Sequence, residues 1–302
     1  MVAGVSFLIY PLLFFELFRG YRGQFSRTTI VLLIFLVVQF VLGMEHEVQS
    51  AQFRSAVIQL FGFALLIIGP PLVEKKRQPL EISTMGLRSV LMFYFILAGF
   101  SLFRGTDWSE ALFQISCISI VYYLGAAGKR GFLYSLTVLL LSGARAIAAG
   151  WFIFKGAMRL NPRRWKVLCF AAIPTLFVLF VNSSDWLISL QNSGTYLKGR
   201  TGYWLNLVTN SPISVFGSGS GYSADMTSQF LDRFQLPHND YLRVIYDYGI
   251  LGVVIFCRSL FILDTSRNLY AFLFAVFCIT GNPLSFPSAI TGLVMSHKYR
   301  LE

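Results

Sequence analysis

The stretch "QLPHND" contains the side chain best suited to proton transfer, His238, directly after a proline. Proline is favoured at the first helical position, so Pro237 predicts a helix that opens there, runs to about Tyr248 and ends or bends at Gly249. His238 and Asn239 would then lie in the first turn, beside free backbone N–H groups that attract phosphate. The helix dipole disfavours imidazolium there, so a neutral His238 would accept a proton from a hydroxyl. The alternative is a histidine that only hydrogen-bonds its own loop.

Two arginines are the second feature that suggests chemistry, because guanidinium groups bind phosphate oxygens in pairs. Arg200 and Trp204 in "GRTGYW" are four residues apart, which is one turn if the segment is helical. Arg145 lies in "LYSLTVLLLSGARAIAAGWFIF", which is either one long helix or a hairpin of two short spans. Basic residues on both flanks favour the hairpin, with Arg145 just below the outer surface of the bilayer. Intramembrane arginines usually bind an anion; snorkelling to the headgroups is the equal alternative.

Most of the chain around these residues consists of apolar segments. Of its 302 residues, 55% are hydrophobic and 13% are charged, whereas soluble domains average about 25% charged. Segments of roughly 17–20 apolar residues cross about 30 Å of hydrocarbon. We therefore predict an all-α, polytopic transmembrane helical bundle of about 11 spans, at residues 2–18, 28–44, 55–73, 86–103, 110–127, 131–143, 146–160, 166–183, 242–263, 268–282 and 285–296.

The basic residues sort by side of the membrane. Most of the 25 lysines and arginines fall in alternate loops, which identifies those loops as cytoplasmic; the opposite loops hold only Arg54, Arg104, Arg145, Lys198, Arg200, Arg233 and Arg243. Topology therefore explains the net charge of +11, and no nucleic-acid partner is expected. We expect the N-terminus outside and no cleaved secretory signal, because "MVAGVSFLIYPLLFFELF" has neither a basic start nor a small-residue cleavage site.

One long polar segment, residues 184–241, interrupts the apolar pattern on the outer side. Long loops between elements usually carry function. Its stretch "SPISVFGSGSGYS" supplies Gly217, Gly219 and Gly221 for tight turns and close backbone approach. It has no GKS/T ending, so a nucleotide site is not expected. The four cysteines lie in apolar spans without metal-ligand spacing, so neither a metal site nor a disulfide is expected.

These stretches, in this order, resemble the O-antigen ligase/polymerase family of bacterial membrane glycosyltransferases. "SGAR" with Arg145 is similar to the family's SR element at the outer end of a span. "GRTGYW" with Arg200 is similar to the arginine and aromatic residue early in a large periplasmic loop, and "SPISVFGSGSG" to the glycine stretch that follows. "HNDYL" with His238, followed by "GILG", is similar to the end of that loop. The resemblance covers residues 131–263.

The resemblance implies a multi-pass protein of the bacterial inner (cytoplasmic) membrane that acts on its periplasmic face. It would transfer a glycan from an undecaprenyl-diphosphate carrier to an acceptor glycan or lipid. His238 would accept the proton of the acceptor hydroxyl, while Arg145 and Arg200 would bind the diphosphate without a metal or other cofactor. No D-x-D sequence occurs in the chain, which agrees with metal-independent transfer. Asn239 and Tyr241 would orient His238 or the sugar. Trp204 or Tyr203 would stack on a sugar ring, although an interfacial belt of aromatic residues explains them equally well.

The predicted organisation is a set of N-terminal transmembrane helices, residues 1–130, and a family-like region, residues 131–302. The latter holds the Arg145 hairpin, the periplasmic loop 184–241 and the C-terminal transmembrane helices. A polymerase of O-antigen or exopolysaccharide is favoured, because polymerases vary most in sequence. A ligase that transfers glycan to lipid A core would use the same residues. A transporter of lipid-linked glycan is the alternative from another class, but transporters often show repeated halves and no repeat is visible here.

Overall fold

The computed structural model describes residues 25–44, 50–75, 200–231 and 236–263, with a few single residues elsewhere. Those ranges contain helices and no strand, which confirms the all-helical fold class for the described part of the chain. The helices are α1 (Arg27–Gly43), α2 (Ser50–Lys75), α3 (Arg200–Asn210), α4 (Tyr222–Leu231) and α5 (Asp240–Leu263). Arg145 and the predicted spans other than 28–44, 55–73 and 242–263 lie outside the described residues.

Helices α1 and α2 confirm the helices predicted at 28–44 and 55–73. Ser26 caps α1, because its Oγ accepts a hydrogen bond from the Thr29 N–H at 3.1 Å. The two helices meet where the Phe40 and Phe53 rings lie 6.0 Å apart. Much of the surface of α1 is apolar and exposed, including Val31, which is 63% exposed. A helix that is apolar all round suits a hydrocarbon environment.

The start of α5 differs from the prediction, because the helix begins at Asp240 and not at Pro237. Asn239 is the capping residue: its Oδ1 accepts a hydrogen bond from the Leu242 N–H at 3.0 Å, and its carbonyl accepts one from the Arg243 N–H at 3.1 Å. Asparagine is among the best capping residues, and this preference outweighs that of proline for the first turn. His238 and Asn239 therefore precede the helix.

Helix α5 is also the candidate membrane span among the described residues. Residues Asp240–Ile262 number 23 and have a mean hydropathy of 1.7, which is long and apolar enough to cross a membrane. The predicted break at Gly249 is confirmed, since this residue has φ 71° and ψ −169° inside the helix. The rings of Tyr241 and Phe256 lie 5.7 Å apart, although a straight helix would separate these residues by about 22 Å.

The span predicted over 242–263 is therefore a candidate by length and composition, but it is not one straight helix. The chain folds back at Gly249 into two arms, residues 240–248 and 250–263. A Cβ atom built on Gly252 in the second arm would lie 3.3 Å from the Val244 carbonyl oxygen in the first. Phe63 of α2 packs edge-on against both arms, 5.3 Å from the Tyr248 ring and 5.8 Å from the Phe256 ring. Hydropathy counts apolar residues along the chain, and it carries no information about such a reversal.

Residues 214–219 of the glycine-rich stretch fill the break in α5. In the second arm, the N–H groups of Ile250 and Leu251 donate to the carbonyls of Ser214 and Val215. In the first arm, the carbonyls of Tyr246 and Asp247 accept hydrogen bonds from the N–H groups of Ser218 and Gly219. All four hydrogen bonds measure 3.0 to 3.1 Å. A helix break leaves such groups without intrahelical partners. The loop therefore satisfies the polar backbone that the break exposes in an apolar region.

Glycine is required where these backbones meet. A Cβ atom on Gly217 would lie 2.5 Å from the Gly249 nitrogen, and one on Gly219 would lie 2.5 Å from the Gly43 nitrogen at the end of α1. Gly217 and Gly219 also have positive φ angles, 85° and 99°. The Ser220 N–H donates to the Gln39 carbonyl of α1 at 2.9 Å. The loop thus joins α1 to α5, which is the close backbone approach that the sequence predicts.

Candidate functional site

His238 lies in a constrained position between the loop and α5. It is half-buried, and its φ of 50° falls in the left-handed region. A residue with a side chain is strained there by about 1–3 kcal/mol, and such strain clusters at functional sites. Its neighbours hold this conformation: Pro237 is buried and Asn239 is fully buried as the cap of α5. The structure therefore presents His238 at a fixed point two residues before the start of α5, and not in the first turn of that helix as predicted.

Helix α3 brings Arg200 toward this segment. Arg200 is the first residue of α3, and Trp204 one turn later donates a hydrogen bond from Nε1 to the Pro237 carbonyl at 2.6 Å. Helix α3 also packs on the first arm of α5 through an apolar cluster of Tyr203, Trp204, Leu207, Leu242, Ile245 and Tyr246. The predicted helical spacing of Arg200 and Trp204 is confirmed. One tryptophan thus joins the helix that carries Arg200 to the residue before His238.

The three residues predicted to support the site, Trp204, Asn239 and Tyr241, are all buried. Trp204 is only 5% exposed and its N–H is engaged, so it holds the Pro237 segment and does not present an open face to a sugar or to headgroups. Asn239 uses Oδ1 to cap α5. Tyr241 is 1% exposed and packs on Phe256 in the core. Trp204 therefore fixes the segment before His238, Asn239 fixes the start of α5 after it, and Tyr241 packs between the two arms of α5.

A row of buried charges on α5 was missed in the sequence. Asp240, Arg243 and Asp247 share one face of the first arm, and each is at most 1% exposed. Arg243 Nη1 donates to Asp240 Oδ1 at 3.3 Å, and Nη2 donates to Gln59 Oε1 of α2 at 2.9 Å. The spacing of the three residues in "DYLRVIYD" indicates a shared helical face. Buried charges need such partners, because removing one leaves the other uncompensated.

Asp247 connects this row of charges to α4. Its Oδ1 accepts a hydrogen bond from the Ser223 N–H at 2.8 Å, and its Oδ2 accepts one from the Gly221 N–H at 3.1 Å. A carboxylate at the N-terminus of a helix satisfies free N–H groups and complements the dipole. Asp247 therefore fixes the start of α4 against the first arm of α5. This buried row stabilises the scaffold behind His238.

Tyr203 lies beside Arg200 in the first turn of α3. Burial raises the pKa of the Tyr203 hydroxyl well above its usual range, and the Arg200 guanidinium opposes this with a smaller effect on the same pKa. The hydroxyl therefore stays protonated near neutral pH. Arg200 and Tyr203 are three residues apart on α3, which makes them neighbours on the helix surface.

The structure does not test the expected activity, its partners, the orientation in the membrane or the role of Arg145. Arg145 lies outside the described residues, so its distance from Arg200 and His238 stays a prediction. In the ranges that the structure describes, no three His, Cys, Asp or Glu side chains form a group suited to a metal, and metal-independent chemistry also stays a prediction. No protein-family model, curated protein or solved structure matches this chain. The family resemblance therefore depends on the quoted motifs alone.

Proposed function

We propose that this chain is a membrane glycosyltransferase that transfers or polymerises an oligosaccharide linked to undecaprenyl diphosphate. The observation that carries the proposal is the hydrogen bond from Trp204 to the Pro237 carbonyl. It joins two motifs 33 residues apart, the one with the anion-binding Arg200 and the one with the base His238. A phosphate-binding cation and a proton acceptor in one region are what glycan transfer from a lipid diphosphate requires.

In this reaction an acceptor hydroxyl attacks the anomeric carbon of the donor glycan. The new bond joins the acceptor oxygen to that carbon, and the bond between the carbon and the diphosphate oxygen breaks. The proton of the hydroxyl goes to a ring nitrogen of His238. The electron pair stays on the diphosphate, where Arg200 and Arg145 stabilise its charge by paired N–H···O bonds. No metal ion or other cofactor is needed for this charge balance.

The proposed location is the bacterial inner membrane, with residues 184–241 on the periplasmic side and about 11 spans in the chain. The uneven distribution of basic residues supports this orientation. Exposed apolar side chains on α1 and the apolar composition of α5 support a membrane environment.

The test is transfer by the purified full chain with lipid-linked repeat units as donor. Lengthened lipid-linked chains identify a polymerase, and product that appears only when lipid A core is added identifies a ligase. Arg200→Lys keeps the charge but loses the planar fork, so it should lower the rate severely. Arg258→Lys is the matched control, because Arg258 is exposed on the second arm and should keep the wild-type rate. Absence of product from every donor and acceptor pair contradicts the proposal.

A further inference from the structure

The hydroxyl of Tyr203 is a polar group that the fold buries without satisfying. The side chain is 4% exposed, and Oη makes no hydrogen bond within the described part of the protein. A buried donor without a partner costs as much as its lost hydration, so native structures contain few of them, and each calls for an explanation. An unmet donor in a region with other functional signals points to a ligand atom.

Other tyrosines of the same region have partners. Tyr248 Oη lies 3.0 Å from Ser220 Oγ, and Tyr222 Oη donates to Ser211 Oγ at 3.1 Å. Phenylalanine at position 203 would fill the same space in the apolar cluster of α3 and α5 without a polar atom. Packing of the apolar cluster therefore does not explain why position 203 carries a hydroxyl.

The surroundings of Tyr203 favour an anion. Arg200 is three residues earlier and on the same face of α3, and the first turn of this helix contains no acidic residue. The positive end of the helix dipole lies there as well. Arg200 and Gly202 are only half-buried, so an anion has an approach to this end of the helix that Tyr203 itself lacks.

We propose that Tyr203 Oη is a binding donor for a phosphate oxygen of the same anionic group that Arg200 binds. This inference depends on the proposed function for the identity of that group, a lipid-linked diphosphate. The guanidinium supplies charge and paired donors, and the neutral hydroxyl supplies a further directional donor to another oxygen. A phospholipid headgroup presents the same phosphate chemistry, so the experiment must separate the two sources.

The test is binding of geranylgeranyl diphosphate to the full chain in neutral detergent micelles, with wild type and Tyr203→Phe. We expect the variant to bind roughly 10-fold or more weakly, since a hydrogen bond to a charged group is lost. Its unfolding midpoint should stay the same or rise slightly, because an unsatisfied hydroxyl has been removed. Tyr248→Phe is the matched control: it leaves Ser220 without its partner and should lower the midpoint without changing binding.

Either of two results overturns the inference. Equal affinity of wild type and Tyr203→Phe would mean that the hydroxyl does not contact the anion. A midpoint lowered as far as in Tyr248→Phe would mean that the hydroxyl has a partner within the protein.

A second series with phosphatidylglycerol in the micelles separates the sources of phosphate. Competition by this lipid, and weaker competition in Tyr203→Phe, would assign the donor to headgroup phosphate. If wild type binds the headgroup phosphate but not the prenyl diphosphate, the proposed transferase function fails while Tyr203 keeps its binding role. If wild type binds neither probe, the inference fails as well.

Discussion

Gly249→Ala is the substitution that tests the folded-back form of α5. A Cβ atom at this position would overlap the backbone nitrogen of Gly217 and the carbonyl oxygen of Val215. Neither neighbour is a flexible side chain, so residues 214–219 would have to move away from the break. The φ of 71° with ψ of −169° is also a conformation that is essentially restricted to glycine.

The magnitude follows from these two effects. Four hydrogen bonds join the loop to the two arms, and each contributes about 1 kcal/mol. Loss of half of them, together with backbone strain of about 1–3 kcal/mol, gives a loss of about 4 kcal/mol. For a chain of 302 residues that corresponds to a decrease of about 6 °C in Tm.

Alanine substitutions at two further glycines, Gly221 and Gly202, are the controls for Gly249→Ala. Gly221 has a φ of 96°, but its added Cβ would only touch Ala56 at 3.5 Å, so Gly221→Ala reports strain alone. Gly202 is in α3, where alanine is the better helix former and the nearest atom is 3.6 Å away. Thermal unfolding in detergent, followed by circular dichroism, should rank the variants as Gly202→Ala most stable, then Gly221→Ala, then Gly249→Ala. Equal midpoints for the variants at 249 and 202 would refute the interlocked break.

Three other changes test separate parts of the account. Cysteines introduced at Ser193 and Ser228 should react with an impermeant maleimide in intact spheroplasts, and labelling only after lysis would reverse the proposed orientation. Asp247→Asn should lower the free energy of unfolding by about 2 kcal/mol, because the amide has one oxygen to accept the two N–H groups of Gly221 and Ser223 that the carboxylate binds. Asp225→Asn should change it by less than about 1 kcal/mol, since that carboxylate bonds an exposed glutamine side chain, and equal losses would contradict the buried network. Transfer should persist in EDTA, and a loss that magnesium or manganese restores would contradict metal-independent chemistry.

The sequence predicts those features that arise from local composition. The helices near 28–44 and 55–73 follow from apolar runs, and the break at Gly249 follows from the freedom of glycine in backbone angles. The close backbone approach of the glycine-rich stretch was also predicted, though not its partner. That partner is α5 itself, and only tertiary contact between the two segments determines it.

Features that depend on distant residues, or on competition between two local preferences, were not predictable from the sequence. Arg243 is buried because Gln59 accepts a hydrogen bond from it across 184 residues of sequence, and no local pattern carries this pairing. The start of α5 depends on competition between two local preferences, the cap at Asn239 and the proline before it, and the side-chain hydrogen bond decides it. Trp204 was predicted to stack on a sugar, but the carbonyl of Pro237 gives its N–H a buried partner.

The role of His238 is decided by the transfer rate of His238→Asn with a lipid-diphosphate donor. Asparagine tolerates the left-handed backbone that His238 adopts, so this variant removes the proton acceptor while it keeps the local fold. An unchanged unfolding midpoint would confirm that the structure is retained. The account predicts a rate at least about 100-fold below wild type. A folded variant that keeps more than about a tenth of the wild-type rate would contradict the role of His238 as the general base.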